Sequence, residues 1–203
     1  ESVALAVSAD GSVVVGASTS PLSDYGEAFR WERSTGMIGL GDLPGGYSES
    51  TATAVSVDGS VVVGRSTSAL APNSFGEAFR WTAATGMVGL GVLTSNGFDY
   101  SFANGVSADG MSITGTASTE QGHEIFLWTA LDGMVPLGSL DGKPYPTSYG
   151  LDISADGSVL IGYTDYGTQV AKSFRWTAAS GMEERLGAMM AIKEFNEKGG
   201  VLG

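Results

Sequence analysis

At 203 residues, 42% hydrophobic and only 16% charged, the chain carries enough apolar material for one domain with a sizeable core and is not of disordered composition. A net charge of −12 without any Lys/Arg cluster excludes nucleic-acid backbones and anionic membrane surfaces as partners, and the absence of Cys excludes disulfides and thiolate catalysis. No apolar run approaches membrane-helix length, so no membrane insertion is expected. The opening at Glu1 lacks the charged and apolar regions of a signal peptide, which fits a mature fragment.

The first unit introduces two phrases, Val7–Gly16 (VSADGSVVVG) and Ala28-Phe29-Arg30-Trp31. Both return three times, the first at Val55–Gly64, Val106–Gly115 and Ile153–Gly162, the second ending at Trp81, Trp128 and Trp176. The tryptophans stand 50, 47 and 48 residues apart, and each is followed by Gly-Met and then Leu-Gly. A fixed period of this size marks a propeller, solenoid or array. Phrases printed in every unit build the unit, so they inform on architecture before they inform on function.

The second unit shows the elements most clearly. Thr51–Ser56 is a short strand, and Asp58-Gly59 supplies the turn. Ser60–Ser66 is a strand whose run of Val61-Val62-Val63 predicts cover on both faces. Gly64 marks a bulge or a close backbone approach. After the loop Ala69–Gly76, the strand Glu77–Thr82 puts Phe79 and Trp81 on one face and Ala78 and Arg80 on the other. Ala83–Gly86 reverses the chain into a fourth strand, Met87–Gly91. The third unit departs from the pattern, with Met111–Thr114 in place of the Val run and Leu127 in place of Arg. Because that Arg is dropped from one unit, it reads as packing or pairing rather than chemistry.

Four antiparallel strands per ~50-residue unit predict an all-β, propeller-like array of four blades, near the kelch period. The units fall at about 1–46, 47–97, 98–145 and 146–187, with a helix over 188–203 acting as a cap or a fusion remnant. Ala188, Ala191, Ile192 and Phe195 share the face of that helix. If the ring closes, a monomer is expected; if it does not, open blade edges predict self-association.

Site candidates are few. Asp10, Asp58, Asp109 and Asp156 recur and could ring one mouth of a channel, where four oxygens would suit Ca²⁺. The simpler reading is a turn-forming Asp-Gly with no cofactor at all. His123, the one histidine, reads as a solvated loop residue, and no nucleophile elbow accompanies it. The unrepeated blade connections bring Tyr47, Phe98, Tyr100 and Tyr145 among Gly, Asn and Asp. Expected on one rim, these rings suit a protein or carbohydrate ligand, or else they plug the blade interfaces. Tyr25, Phe75 and His123 are expected on a different rim.

The run Ala54–Gly64, then Ala78–Trp81, then Gly86–Gly91 resembles the HAF family of predicted extracellular repeats, and the resemblance covers Glu1 to about Gly187 in four copies. It implies a secreted or cell-surface bacterial protein with a non-enzymatic binding, adhesion or scaffold role, and it brings no catalytic residues. The competing readings are a carbohydrate-active enzyme using Asp99 or Asp141, and a purely structural spacer. Separately, Ala191–Gly203 resembles the first helix and turn of type 1 periplasmic ligand-binding proteins of ABC transporters, over too short a stretch to imply their function.

Overall fold

Each Asp-Gly turn joins two strands, and in the computed structural model these pairs grow into separate antiparallel sheets, the blades. Residues 1–20, 23–71, 75–94, 99–120, 122–138, 147–164 and 172–177 are described. Blade 1 holds β1 (Ser2–Val7), β2 (Val13–Ser20), β3 (Ser23–Glu32) and β4 (Gly36–Gly39). Blade 2 holds β5 (Gly45–Val55), β6 (Val61–Ser68), β7 (Glu77–Thr82) and β8 (Gly86–Gly89). Blade 3 holds β9 (Ser101–Val106), β10 (Ser112–Thr119), β11 (Gly122–Thr129) and β12 (Gly133–Pro136). In blade 4 the described strands are β13 (Ser148–Ile153), β14 (Val159–Thr164) and β15 (Lys172–Thr177). Strand order follows sequence order in every blade. The expected C-terminal helix lies outside the described residues.

The continuous Val runs are covered on both faces, as their composition predicts: Val61, Val62 and Val63 are all buried. The core is divided among the junctions between blades. Val13, Val15 and Ala28 of blade 1 pack on Ala52, Val62 and Phe79 of blade 2, with Trp81 and Met87 at the margin. Val61, Val63 and Ala78 meet Ala103, Ile113 and Phe126 in the same way, and Ile125 meets Ile153, Leu160 and Phe174. Each blade therefore turns its Phe-Trp face toward the preceding blade and its Ala-Arg face toward the next, which is the two-faced strand read from residues 77–82.

The repeated Gly of the second strand has a steric cause. The first strand of every blade carries a register shift, at Ala4/Ala6, Ala52/Ala54, opposite Thr114/Gly115 and at Gly150/Asp152. This bulge swings a carbonyl over the neighbouring strand. A Cβ on Gly16, Gly64, Gly115 or Gly162 would stand 1.7–2.1 Å from that oxygen, so only glycine fits.

Polar groups sew the junctions together. A recurring Ser of the first strand accepts a hydrogen bond from the previous blade: Ala28 N–H to Ser50 Oγ (2.9 Å), Ala78 N–H to Ser101 Oγ (2.8 Å), Ile125 N–H to Ser148 Oγ (3.1 Å). The turns are also joined to one another, by Ala9 N–H to the Val57 carbonyl, Val57 N–H to Ala108, and Ala108 N–H to Ala155. Arg30 and Arg80 donate from Nε to the carbonyls of Gly59 and Gly110 in the following blade, both at 3.2 Å. The recurring Arg thus bridges blades, in line with its reading as a pairing residue.

Candidate functional site

The four recurring aspartates organise their own turns. Asp58 Oδ1 accepts from Ser56 Oγ (2.7 Å), Ser60 N–H (3.0 Å) and Ser60 Oγ (2.8 Å), while Ser56 Oγ in turn accepts from Val61 N–H. Asp10 and Asp156 repeat the full set, and Asp109 repeats it without the hydroxyl that Met111 lacks. Hydrogen bonds to the charged form hold these carboxylates below their usual range. For Asp10 the Ser12 N–H is the main cause and the value is about 2. For Asp58 and Asp156 the hydroxyls of Ser56 and Ser154 lead, and the values are again about 2. Asp109 is lowered chiefly by the Ser107 hydroxyl. Each carboxylate closes its own turn, and among the described residues no three His, Cys, Asp or Glu side chains gather closely enough to hold a metal ion.

A second recurring carboxylate escapes the sequence reading. Glu27, Glu77 and Glu124, two residues before the Phe of blades 1 to 3, accept the backbone N–H of Gly41, Gly91 and Gly138 at 2.9–3.1 Å. Glu27 and Glu77 also press on the Cα of Gly39 and Gly89, where a Cβ would lie 2.2 Å from the carboxylate. The signal available in the sequence was the recurrence of Glu before Ala-Phe-Arg-Trp. Asp99 is buried and accepts a hydrogen bond from Thr94 Oγ1. Asp141 lies outside the described residues.

What differs between blades lies at equivalent places on this scaffold. The residue after the recurring first-strand Ser pairs with the residue after the repeated Gly, giving Val3–Ala17, Thr51–Arg65, Phe102–Thr116 and Tyr149–Tyr163 in blades 1 to 4. From blade 2 to blade 4 these positions and their neighbours build an aromatic row. Arg65 lies over the Phe102 ring at 5.4 Å. Phe102 stacks on Tyr100 (4.8 Å between centroids), and Tyr100 also meets Phe75 (5.5 Å) and His123 (5.4 Å). The row continues from His123 to Tyr149 (6.3 Å) and on to Tyr163 (4.9 Å).

The expected partition of the aromatic loops is therefore corrected. Phe75 and His123 do not face a separate rim; they pack on Tyr100. Nor is His123 a solvated loop residue. It sits half-buried in β11, and its Nδ1 is hydrogen-bonded to the Tyr100 hydroxyl. Burial lowers the imidazole pKa. Burial first, and the nearby Tyr149 second, push the Tyr100 phenol up to about 12. The phenol and Nδ1 share one hydrogen bond, whose direction is set by the imidazole tautomer. Tyr100, only 9% exposed, plugs the blade 2–blade 3 region. Phe98 and Tyr145 lie outside the described residues.

One end of the row opens to solvent. Glu49, Arg65, Thr67 and Phe75 line a shallow cleft on blade 2. Arg65 Nη2 stands 3.8 Å from Glu49 Oε1, and Phe75 is 53% exposed. Thr67 donates its hydroxyl to the Tyr47 carbonyl, which ties the cleft wall to Tyr47, whose side chain is 68% exposed. Tyr47 and Phe75 are thus exposed rings tied to one cleft, while the remaining rings of the row stack on one another.

No protein-family model matches the sequence, and no curated relative matches it. Solved structures do. TolB from Acinetobacter baumannii is similar over 90% of this chain and 42% of its own, with TM-score 0.56 and 13% identity. A putative TolB from Agrobacterium tumefaciens is similar over 87% of this chain and 57% of its own, with TM-score 0.55 and 16% identity. A prolyl endopeptidase, studied for inter-domain dynamics in catalysis and specificity, is similar over 84% of this chain and 27% of its own, with TM-score 0.54 and 16% identity. At these identities the likeness is one of fold: the chain is a β-propeller array, and it spans between about a quarter and three-fifths of the length of these three proteins. Among the described residues no helix is long and apolar enough to cross a membrane.

Proposed function

We propose that the chain is a non-enzymatic binding module of a secreted, cell-surface bacterial protein, and that a protein segment docks on the rim marked by Tyr47, Arg65 and Phe75. The observation that carries this reading is the exposed Phe75 ring at the Arg65–Glu49 pair, with the exposed Tyr47 joined to the same wall through its carbonyl. Aromatic and Arg side chains are the types that dominate protein-binding hot spots. The crevice itself is too narrow to admit a water molecule, so a ligand would lie across its rim, on the exposed rings, rather than inside it. The blades recur while the residues at the rim vary, as in scaffolds that carry binding on variable positions. The likeness of the repeats to the HAF family supports the extracellular placement.

Panning a phage-displayed random peptide library on the chain tests the reading. Selected peptides should lose at least about tenfold in affinity on Tyr47→Ala/Phe75→Ala, the loss of one hot-spot contact of ~1.4 kcal/mol. Peptides that bind wild type and variant equally would place the site elsewhere. Exposed rings also suit sugars. Saturable signal on a glycan array, lost in the same variant, would make the ligand a carbohydrate. Glycan turnover in place of binding would make the chain an enzyme.

A further inference from the structure

Blade 2 departs from its neighbours at two places, and the two excursions touch. β2 pairs with β3 as far as Ser20–Ser23 and β10 with β11 as far as Thr119–Gly122, whereas residues 69–76 separate β6 from β7. The β5–β6 register jumps from Gly45–Ser68 to Ser50–Ser66, so residues 46–49 stand opposite Thr67 alone. Ala69 N–H donates to the Pro44 carbonyl (3.0 Å), and a Cβ on Gly45 would stand 2.7 Å from that of Ala69. A Cβ on Gly46 would lie 2.3 Å from the Thr67 carbonyl carbon, so glycine lets the bulge lie against β6.

Three large apolar side chains stand out from these excursions: Tyr47 from the bulge, and Leu70 and Phe75 from the β6–β7 connection. Leu70 is 55% exposed although its backbone is held. The buried Ser68 hydroxyl accepts from Leu70 N–H and Ala71 N–H (3.1 Å each) and donates to Glu77 Oε2 (2.5 Å). Ser68 N–H donates to the Ala71 carbonyl (3.3 Å). An exposed leucine on a backbone so held loses little freedom when a partner covers it.

The polar groups around these side chains are engaged with one another. The carbonyls of Pro44, Tyr47 and Ala71 accept from Ala69 N–H, the Thr67 hydroxyl and Ser68 N–H. Glu49 and Arg65 stand side by side with opposite charge, so in a chain of net charge −12 this pair presents no net charge to a partner. A sugar calls for convergent hydrogen-bonding groups, and a charged segment calls for an opposite charge. Apolar side chains around a neutralised pair complement neither; they complement an uncharged apolar segment.

Resting on the reading of this rim as the docking site, we infer that the docked segment is an uncharged, apolar stretch of a partner protein, and that Leu70 is a third contact beside Tyr47 and Phe75. Leu70 has no ring face on which a sugar stacks and no group that bonds its hydroxyls, so its part in binding separates a peptide from a glycan.

Titrating wild type and variants with the peptides selected on the wild-type chain tests this. The peptides should be rich in apolar side chains and poor in Lys, Arg, Asp and Glu. Leu70→Asn keeps the approximate size and removes the apolarity, whereas Leu70→Met keeps the apolarity. Leu70 is about half covered in the free chain, so covering the rest is worth about fivefold in affinity; Leu70→Asn should lose that much and Leu70→Met should retain it. The side chain is surface-exposed, and unchanged circular dichroism confirms folding. Affinity unchanged in Leu70→Asn but lost in Tyr47→Ala/Phe75→Ala would overturn the third contact and leave the rim as the site. Affinity unchanged in both would remove the rim itself, and this inference with it. Selected peptides rich in charge, or glycans that bind in place of peptides and ignore Leu70→Asn, would overturn the apolar partner.

Discussion

Substituting Gly64 by Ala tests the claim that a bulge in the first strand dictates glycine in the second. The new Cβ would stand 1.9 Å from the Thr51 carbonyl oxygen, 2.9 Å from Ala52 Cα and 2.9 Å from Phe79 Cε1. Two of these atoms are backbone of β5, and the third belongs to a fully buried ring, so nothing flexible can yield. Overpacking a rigid site costs about 1–3 kcal/mol, and backbone displacement puts Gly64 at the upper end. The smaller conformational freedom of Ala in the unfolded chain offsets about 0.4–1 kcal/mol, leaving a net loss of about 2 kcal/mol. In a chain of this size that lowers Tm by about 4–8 °C, measured by thermal unfolding and checked against the urea midpoint. Gly86→Ala is the control. Its φ of +66° strains Ala, but nothing lies within 4 Å of the new Cβ, so the cost is about 1 kcal/mol. If Gly64→Ala unfolds at the wild-type midpoint, or loses less than Gly86→Ala, the steric account of the seam is wrong.

Ser101→Ala removes a buried hydroxyl that accepts from Ala78 N–H and donates to the Gly91 carbonyl; leaving both unpaired should cost about 2 kcal/mol by urea unfolding, whereas Ser2→Ala, at the outer face of blade 1, should leave the monomer's stability unchanged. Asp42 has a buried Oδ1 without a hydrogen-bond partner, and burial raises its pKa, so Asp42→Val, the residue blade 2 carries at that place, should stabilise by about 1 kcal/mol at pH 7. A raised carboxylate pKa is a cost present only above it, so this gain should shrink as pH falls toward 4, and a pH-independent gain would contradict the assignment. The turn aspartates run the other way. Their pKa values are depressed from 3.8 to about 2 at Asp10, Asp58 and Asp156, so their contribution is complete above 3.8 and disappears between there and about 2. The acid-induced fall in Tm across that window should be smaller in Asp58→Asn than in wild type, and an identical fall would show that the turn carboxylates do not drive it.

The blades were legible because each strand's chemistry is local. Three β-branched residues in a row, Phe and Trp two apart, and Asp-Gly between apolar runs each say where a strand runs and which faces it covers. The need for glycine at Gly64 was legible for the same reason, although the bulge that causes it sits in the partner strand. The aromatic row was legible only in part. Tyr100, Phe75, His123 and Tyr149 come from three blades, and their meeting depends on how blades stack, which no repeat period encodes. Reading the blade connections and the loops inside blades as two rims separates Phe75 and His123 from Tyr100, although the three rings meet. Glu77 was passed over because its partner, the Gly91 N–H, lies 14 residues away across the blade. Whether the ring closes stays undecided in the sequence, because the first and last units print the same phrases as the middle ones.

The stitching of neighbour to neighbour has an energetic consequence. Each hydrophobic cluster draws on two adjacent blades, so free energy accrues by junction, as in a one-dimensional row of coupled units. Blades 2 and 3 are held on both sides, and their amide protons should exchange through larger openings than those of blades 1 and 4. A duplication of one ~48-residue unit adds a whole junction and turns a fraying end blade into an interior one. Growth by such units raises cooperativity in steps, leaves every existing contact intact, and needs no new chemistry at the seam.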